Sequence, residues 1–315
     1  MTIARVSHSR RRFVISAMAA AAVVATPLAL RPAAAAQQAS SQPNASAWVI
    51  PAADARKLIT DGAVVLDVRG AELKKAAPLA NAVAVEWPYF TKDSKAQKGQ
   101  LLDDDAELTR RVQDLGVSSG KPVVVVADSL NGWGEDGRIV WTLRTLGHQA
   151  AYFVDGGIAA LTRDGDPGIA PVSGKGDFEV KRIADFEITK EELRQKLGDK
   201  NVVILDTREP REYAGETPYG ETRGGHVPGA RHIFYKDFLD ANGDVLPPGQ
   251  VKAKLAELGI APDAEVVSYC TGGIRSGFVT AVLANAGVKA RNYAGSMWDW
   301  SSADAKKYPL VTGAN

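Results

Sequence analysis

Short runs of consecutive apolar residues alternate along this chain with stretches whose apolar residues return every three or four positions. In the second half, Thr189 and Glu192 have capping-box spacing and predict a helix to Leu197. Val202 to Leu205 predicts a strand, and Gln250 to Leu258 a helix ended by Gly259. Glu265 to Tyr269 predicts another strand, and Arg275 to Ala286 a helix ended by Gly287. Strands that are apolar throughout, set between helices, predict an α/β fold with a mainly parallel sheet covered by helices on both faces. Ligands of such sheets bind beyond the carboxyl ends of the strands, where the strand order reverses. Asp206 and Cys270 each fall at a strand end, which predicts that both stand on one crevice rim.

The pattern occurs twice. Val64-Val65-Leu66-Asp67-Val68-Arg69 matches Val203-Ile204-Leu205-Asp206-Thr207-Arg208. Val124 to Asp128 matches Val266 to Cys270, and Phe153 to Gly157 matches Asn292 to Ser296. The three matches keep their order and nearly their spacing, so two related domains are expected, at 47–165 and 186–315. A length of 315 residues suits two domains. The Gly, Pro and Asp content from Arg163 through Gly176 marks a linker, placed at 166–185.

The N-terminus breaks the pattern. Ser9-Arg10-Arg11-Arg12-Phe13-Val14 leads into an Ala-rich apolar run to Leu30, then Arg31-Pro32 and four alanines. A basic start, an apolar middle and small residues before a polar stretch predict a cleavable signal peptide over 1–36. The paired arginines followed by Phe13 resemble a bacterial twin-arginine export signal, which implies a periplasmic protein. Residues 37–46 then form a polar lead-in, and no stable membrane insertion is expected after cleavage.

Composition narrows the chemistry. The formal net charge is +1, which leaves no footprint for nucleic acid. The four histidines are scattered and no Cys/His cluster has ligand spacing, so no metal and no cofactor are expected. Cys270 is the only cysteine. In an oxidising compartment a lone thiol has no internal partner and is either inert or employed.

The residues around Cys270 favour employment. They read as a buried strand, the thiol, a loop of Thr271-Gly272-Gly273, then a helix from Ile274 and Arg275. Glycine accepts positive φ, so the loop can turn its N–H groups inward. A ring of amides at a helix N-terminus, with Arg275 in the first turn, favours negative charge on sulfur and lowers a thiol pKa. The other reading is a buried structural cysteine. Asp206 reads as a turn cap that holds Arg208, and His226 before Pro228 as a structural hydrogen bond. Trp298 and Trp300 read equally as crevice wall and as core.

At this point the second half resembles the rhodanese family of sulfurtransferases. The resemblance rests on Asp206-Thr207-Arg208, Glu212-Tyr213, Gly225-His226-Val227-Pro228-Gly229-Ala230, the Cys270 loop, and Tyr293-Ala294-Gly295-Ser296-Met297-Trp298, in that order. It implies two tandem rhodanese-like domains with the active loop in the second. It also implies that Cys270 takes a sulfane sulfur as a persulfide and passes it to a thiophilic acceptor such as cyanide, sulfite or a thiol. The loop amides over Thr271, Gly272, Gly273, Ile274, Arg275 and Ser276 would hold the sulfur anion. Arg208 and Arg275, with Arg223 from an extra segment at 215–224, are the expected charge partners of a small anionic donor such as thiosulfate.

The first half departs from this. Asp128 stands where the second half has Cys270, in a longer acidic loop with Glu135 and Asp136. A carboxylate cannot carry sulfur, and three acids would repel an anionic donor. This half is expected to be a non-catalytic, crevice-forming partner. It also lacks the His-Pro-Gly-Ala motif, so the His relay of the mercaptopyruvate branch has no counterpart there. A mercaptopyruvate-type sulfurtransferase stays open as an alternative, since the loop Thr271 to Ser276 looks like that of single-domain rhodaneses. Cysteine-loop phosphatases and arsenate reductases place one residue more between Cys and Arg than the four found here, a spacing that favours sulfur. A non-catalytic sulfur-binding module is the remaining alternative. No oligomeric state is predicted.

Overall fold

The computed structural model of the chain describes Pro43 and residues 46–313. The expected export signal at 1–36 lies outside the described residues. The apolar runs form two parallel sheets. In the first half the elements are β1 (Val49–Ile50), α1 (Ala52–Thr60), β2 (Val64–Asp67), α2 (Ala71–Ala76), β3 (Val83–Ala84), α3 (Asp105–Asp114), β4 (Val123–Val126), α4 (Glu135–Thr145), β5 (Ala151–Val154) and α5 (Gly157–Thr162). In the second they are α6 (Lys190–Gln195), β6 (Val202–Asp206), α7 (Pro210–Ala214), β7 (Arg231–His232), α8 (Pro248–Glu257), β8 (Glu265–Tyr269), α9 (Ile274–Asn285), β9 (Ala290–Asn292) and α10 (Ser296–Ser302).

Strand order is β1-β5-β4-β2-β3 in one sheet and β9-β8-β6-β7 in the other. The three sequence matches therefore fall on equivalent strands: β2 with β6, β4 with β8, β5 with β9. β4 is four valines, all fully buried, which suits β-branched side chains packed on both faces of a parallel sheet. Thr189 and Glu192 form the capping box of α6 in both directions.

The two halves share one core. A single cluster joins Val125 and Phe153 of the first sheet to Leu205 and Val266 of the second, through Ile139 and Leu143 of α4 and Val279 and Val282 of α9. Residues 136–145 of α4 and 275–283 of α9 are buried on every side. This is why neither helix shows a clean polar face: a helix enclosed on all sides has no solvent side to reserve for polar residues, and the polar side chains of α4 are buried with the rest. The two helices cross at glycines. A Cβ on Gly137 would sit 2.5 Å from the Phe278 Cα, and one on Gly277 would sit 3.1 Å from the Arg138 Cα. The region expected as a linker is laid along the first half. Phe178 N–H bonds to Val117, Lys181 N–H to Leu146 and Ile183 N–H to Thr145.

Each half ends its β2-type strand in the same ion pair. The Asp206 carboxylate takes Arg208 Nε at 2.9 Å and Nη2 at 2.6 Å, and Nη2 also donates to the Gly225 carbonyl at 2.8 Å. Asp67 and Arg69 repeat this, with Nη2 reaching Ala77 O at 2.7 Å. Asp206 and Arg208 are both wholly buried. Two expectations are corrected here. Asp206 stands under the crevice rim, not on it, bonded to the Tyr269 hydroxyl at 2.7 Å. Arg208 has its guanidinium committed to the strand end and does not reach a donor. The half without sulfur builds the same pair, which identifies the pair as architecture.

Two outcomes follow from this packing. Gly137→Ala should lower stability in urea by about 1–3 kcal/mol, because the added methyl must displace the α9 backbone. Arg208→Ala should cost about 3–5 kcal/mol by leaving Asp206 buried and unpaired, while the folded fraction keeps its donor KM. Urea melts and steady-state kinetics on the two variants would check both.

Candidate active site

β8 delivers Cys270 to its carboxyl end, and the loop that follows wraps the sulfur. The Gly273 N–H donates to Sγ at 3.1 Å. Gly273 is the N-cap of α9 at φ 81°, a left-handed conformation that glycine enters without penalty. The loop carbonyls are held outward by other elements. The N–H groups of Met297 and Trp298, opening α10, take the carbonyls of Cys270 and Thr271 at 3.1 and 3.0 Å. The Gly273 carbonyl takes Arg138 Nη1 at 2.9 Å and Asn292 Nδ2 at 3.3 Å. With carbonyls out, amides face in. Ser276 Oγ donates to Asn292 Oδ1 at 2.7 Å and lies 3.5 Å from Sγ.

Arg275 sits beside the sulfur in a closed network. Its two Nη groups meet Glu212 at 2.6 and 2.8 Å, and Nη2 also reaches Thr271 Oγ1 at 2.7 Å. The Thr271 hydroxyl donates to Glu212 at 2.7 Å. Glu212 is placed by α7, where it closes a capping box with Glu209. Burial pushes the Glu212 carboxyl up, but Arg275 and Thr271 hold it below the usual range. Burial likewise pushes the Cys270 thiol up. Arg275, with Ser276 and the Gly272 amide, outweighs that and leaves the thiol below its ordinary value.

Cys270 is 1 % exposed, yet it borders a cavity of about 270 Å³. Each domain supplies part of the wall. Trp87 of the first domain stacks on Trp298 of the second, centroids 6.3 Å apart. Trp133 of the first meets Tyr219 of the second edge-on at 5.5 Å. The Arg275 guanidinium lies over both members of the latter pair, at 5.4 and 5.5 Å. The Lys98 ammonium lies over both members of the former, at 5.6 and 5.8 Å. A Cβ on Gly272 would strike the Trp298 ring at 2.1 Å, so the loop and this wall fit only with glycine there.

The three acids of the first-domain loop have separate fates. Asp128, the counterpart of Cys270, accepts the N–H groups of Leu130 and Asn131 at 3.1 and 2.9 Å. A carboxylate thus fills the amide ring that holds sulfur in the other half. Asp136 is buried, and burial pushes its carboxyl up to about 7. Only Glu135 reaches the cavity, where it takes the Trp133 N–H at 2.7 Å and burial raises its pKa. The expected repulsion by three acids reduces to one.

Among the residues expected from sequence, Cys270, Thr271, Gly272, Ile274 and Arg275 line the cavity, and Gly273 and Ser276 contact the sulfur. Arg208 and Arg223 are not brought there. Arg223 donates to the carbonyls of Trp300, Ser301, Ala303 and Tyr308 at 2.8 to 3.2 Å, and so clamps the C-terminal segment. The extra segment at 215–224 contributes Tyr219 instead. Trp298 is wall, while Trp300 is fully buried core. His226 stacks on Tyr213 at 3.6 Å and bonds its carbonyl. Sequence reasoning passed over Trp87, Lys98, Trp133, Arg138 and Tyr219. Four of these come from the half without a thiol, and nothing local ties them to Cys270. Among the described residues no group of three His, Cys, Asp or Glu side chains could hold a metal ion.

Comparison with known proteins agrees with this arrangement. The model of the rhodanese-like domain matches residues 51–164 and again 189–303. A thiosulfate sulfurtransferase of Pseudomonas aeruginosa is 30% identical over 221 residues, 68% of this chain and 80% of that protein. A probable 3-mercaptopyruvate sulfurtransferase of the same bacterium is 32% identical over 220 residues, 67% of this chain and 75% of its own. The crystal structure of Tum1 from Saccharomyces cerevisiae has the same fold at a TM-score of 0.71 and 18% identity, covering 85% of this chain and 98% of that one. The rhodanese-like domain is matched twice in succession along this chain, the second match holding Cys270, and the chain belongs to the rhodanese family as a tandem-domain sulfurtransferase of the thiosulfate sulfurtransferase-like kind.

Proposed function

We propose that the Cys270 thiolate takes the sulfane sulfur of a small anionic donor, thiosulfate being the first choice, and hands it from a persulfide to a thiophilic acceptor. The observation that carries this reading is the inward Gly273 N–H at 3.1 Å from a thiol whose pKa lies below the ordinary value. Cys270 Sγ attacks the outer sulfur of thiosulfate. A sulfur–sulfur bond forms to the enzyme, the bond to the sulfite group breaks, and its electron pair leaves with sulfite. The terminal sulfur of the persulfide keeps the negative charge, for which the loop amides are donors. Cyanide, sulfite or a thiolate then attacks that sulfur, and the electron pair of the broken bond returns to Cys270. Two half-reactions sharing one covalent intermediate give ping-pong kinetics.

Charge at the cavity supports an anionic donor. Arg275 is neutralised by Glu212, so Lys98 at the mouth is the more available cation. The likeness to a probable 3-mercaptopyruvate sulfurtransferase supports that donor as the second reading, favoured by the size of the cavity, which exceeds the needs of thiosulfate. The basic, apolar and small-residue succession of residues 1–36 supports export to the periplasm by the twin-arginine route.

Intact mass after thiosulfate treatment should rise by one sulfur atom, and Cys270→Ser should show no gain. A wild-type chain without that gain would remove the persulfide. Because the folded thiol titrates below the ordinary value of about 8.5, persulfide formation should persist as pH falls beneath it and fail only through the lowered pKa. Stopped-flow rates across pH would show this. Lys98→Glu should raise the thiosulfate KM roughly fivefold, about 1 kcal/mol, with the effect shrinking in high salt. An unchanged KM at low salt would remove Lys98 from donor capture.

A further inference from the structure

Arg138 of α4 is a charge with no evident reason to be buried. It is wholly inaccessible, and it comes from the domain that carries no thiol. Its Nη1 donates to the Gly273 carbonyl at 2.9 Å and its Nη2 to the Gly99 carbonyl at 2.7 Å. Its Nε has no partner, and no carboxylate is paired with it among the described residues. Its guanidinium lies 4.7 Å over the Trp141 ring. Burying a guanidinium without a counter-ion costs several kcal/mol, and two neutral carbonyls do not offset that. A helix crossing built on Gly137 and Gly277 would be served better by an apolar side chain at 138.

The charges around Cys270 show what Arg138 is left to balance. Arg275 on α9 is paired with Glu212 on α7. Arg208 is paired with Asp206 at the end of β6, and Asp206 also takes the Tyr269 hydroxyl from β8. Lys190 is paired with Asp299 on α10, which also takes the Tyr293 hydroxyl. Glu221, in the 215–224 segment, accepts from Thr271 Oγ1 and the Tyr219 N–H, and Glu135 from the Trp133 N–H. Tyr219 itself stands in the wall. Among the described buried cations around the loop Arg138 alone has no carboxylate in ion-pair contact, and apart from Glu187 the anion that acts on it is the Cys270 sulfur. Both act on opposite ends of Gly273, whose N–H holds Sγ and whose carbonyl holds Nη1.

We propose that Arg138 is a positioning residue for the reactive thiolate, fixing the Gly273 carbonyl outward so that its N–H meets sulfur, and supplying the positive charge that the thiolate faces from across the domain boundary. Burial pulls the guanidinium down to about 10, and the Cys270 sulfur, with Glu187, pulls it back up. Arg275 is the leading cation on the Cys270 side, and the charge of Arg138 is placed beside it. The first domain is then an electrostatic part of the second domain's site as well as its wall. This concerns the thiolate alone and holds whichever donor is used.

The test is the titration of Cys270 in the full chain without any sulfur donor, followed by thiolate absorbance and by the rate of iodoacetamide alkylation against pH. Arg138→Gln keeps a hydrogen-bond donor and removes the charge. Arg138→Lys keeps the charge but can reach one carbonyl only. The Cys270 midpoint should rise by about 1–2 pH units in the Gln variant, and by about half a unit in the Lys variant. A folded Gln variant that loses activity with its titration unmoved would show Arg138 to be a clamp and nothing more, and would overturn the proposal. Where the Gln variant shows no cooperative thermal transition, the Lys variant decides alone, and a midpoint equal to wild type overturns it.

Discussion

The contact between the Gly273 N–H and the Cys270 sulfur constrains most of the surrounding structure. For that hydrogen to face inward, the loop carbonyls must face outward, and each then needs a donor in a dry interior. Those donors come from three separate places: the opening amides of α10, the Asn292 side chain at the end of β9, and Arg138 from the other domain. The left-handed turn at Gly273 and the bare Cα of Gly272 follow from the same requirement. A side chain at 272 would enter the Trp298 ring, and one at 273 would come within 2.4 Å of Arg138 Nη1. The carbonyls of Cys270, Thr271 and Gly273 are thus satisfied from outside the loop.

The same fold appears twice with one chemical difference at its centre. In the first copy a carboxylate enters the ring of amides, bonds Leu130 and Asn131 from within, and closes the site. In the second a thiol leaves the ring unfilled but for one sulfur. The first copy, which has no thiol, contributes in other ways. Its α4 packs along α9, its Trp87 and Trp133 complete the cavity, and its linker lies flat against its own helices. The arginine expected to serve a donor at 208 turns out to sit in an ion pair that both copies build, and the comparison of Arg69 with Arg208 separates scaffold from chemistry more sharply than either could alone.

What was legible in the sequence follows the range of the interactions. Strands β6 and β8, the capped helix α6 and the loop after Cys270 are set by neighbours a few positions away, and their residues announce them. The threefold internal match gave the two domains, and the matched segments fall on equivalent strands of the two sheets because a repeat inherits its strand order. Arg275 was legible as a charge near sulfur, but not its locking by Glu212, 63 positions earlier. Arg208 and Arg223 misled because an arginine near a motif looks the same whether it meets a substrate or a carbonyl. Arg138, Trp133 and Lys98 had no signal at all: their roles exist only once two helices cross at glycines and close one half over the other.

Loop and cavity divide the work of recognition. The Gly273 amide of the loop meets only the sulfur of Cys270. The cavity beside it, about 270 Å³, is much larger than that atom requires. A water takes about 30 Å³ of liquid volume, so an ion as small as thiosulfate fills a minor part of the space. The rest is bounded by three tryptophans and a tyrosine, paired across the domain boundary, with one cation over each pair. Aromatic faces give contact area at little entropic cost and favour a flat or apolar body over a hydrated ion. The surface that borders the thiol is therefore one that neither domain possesses alone, and changing the first domain changes what the sulfur meets without touching the thiol.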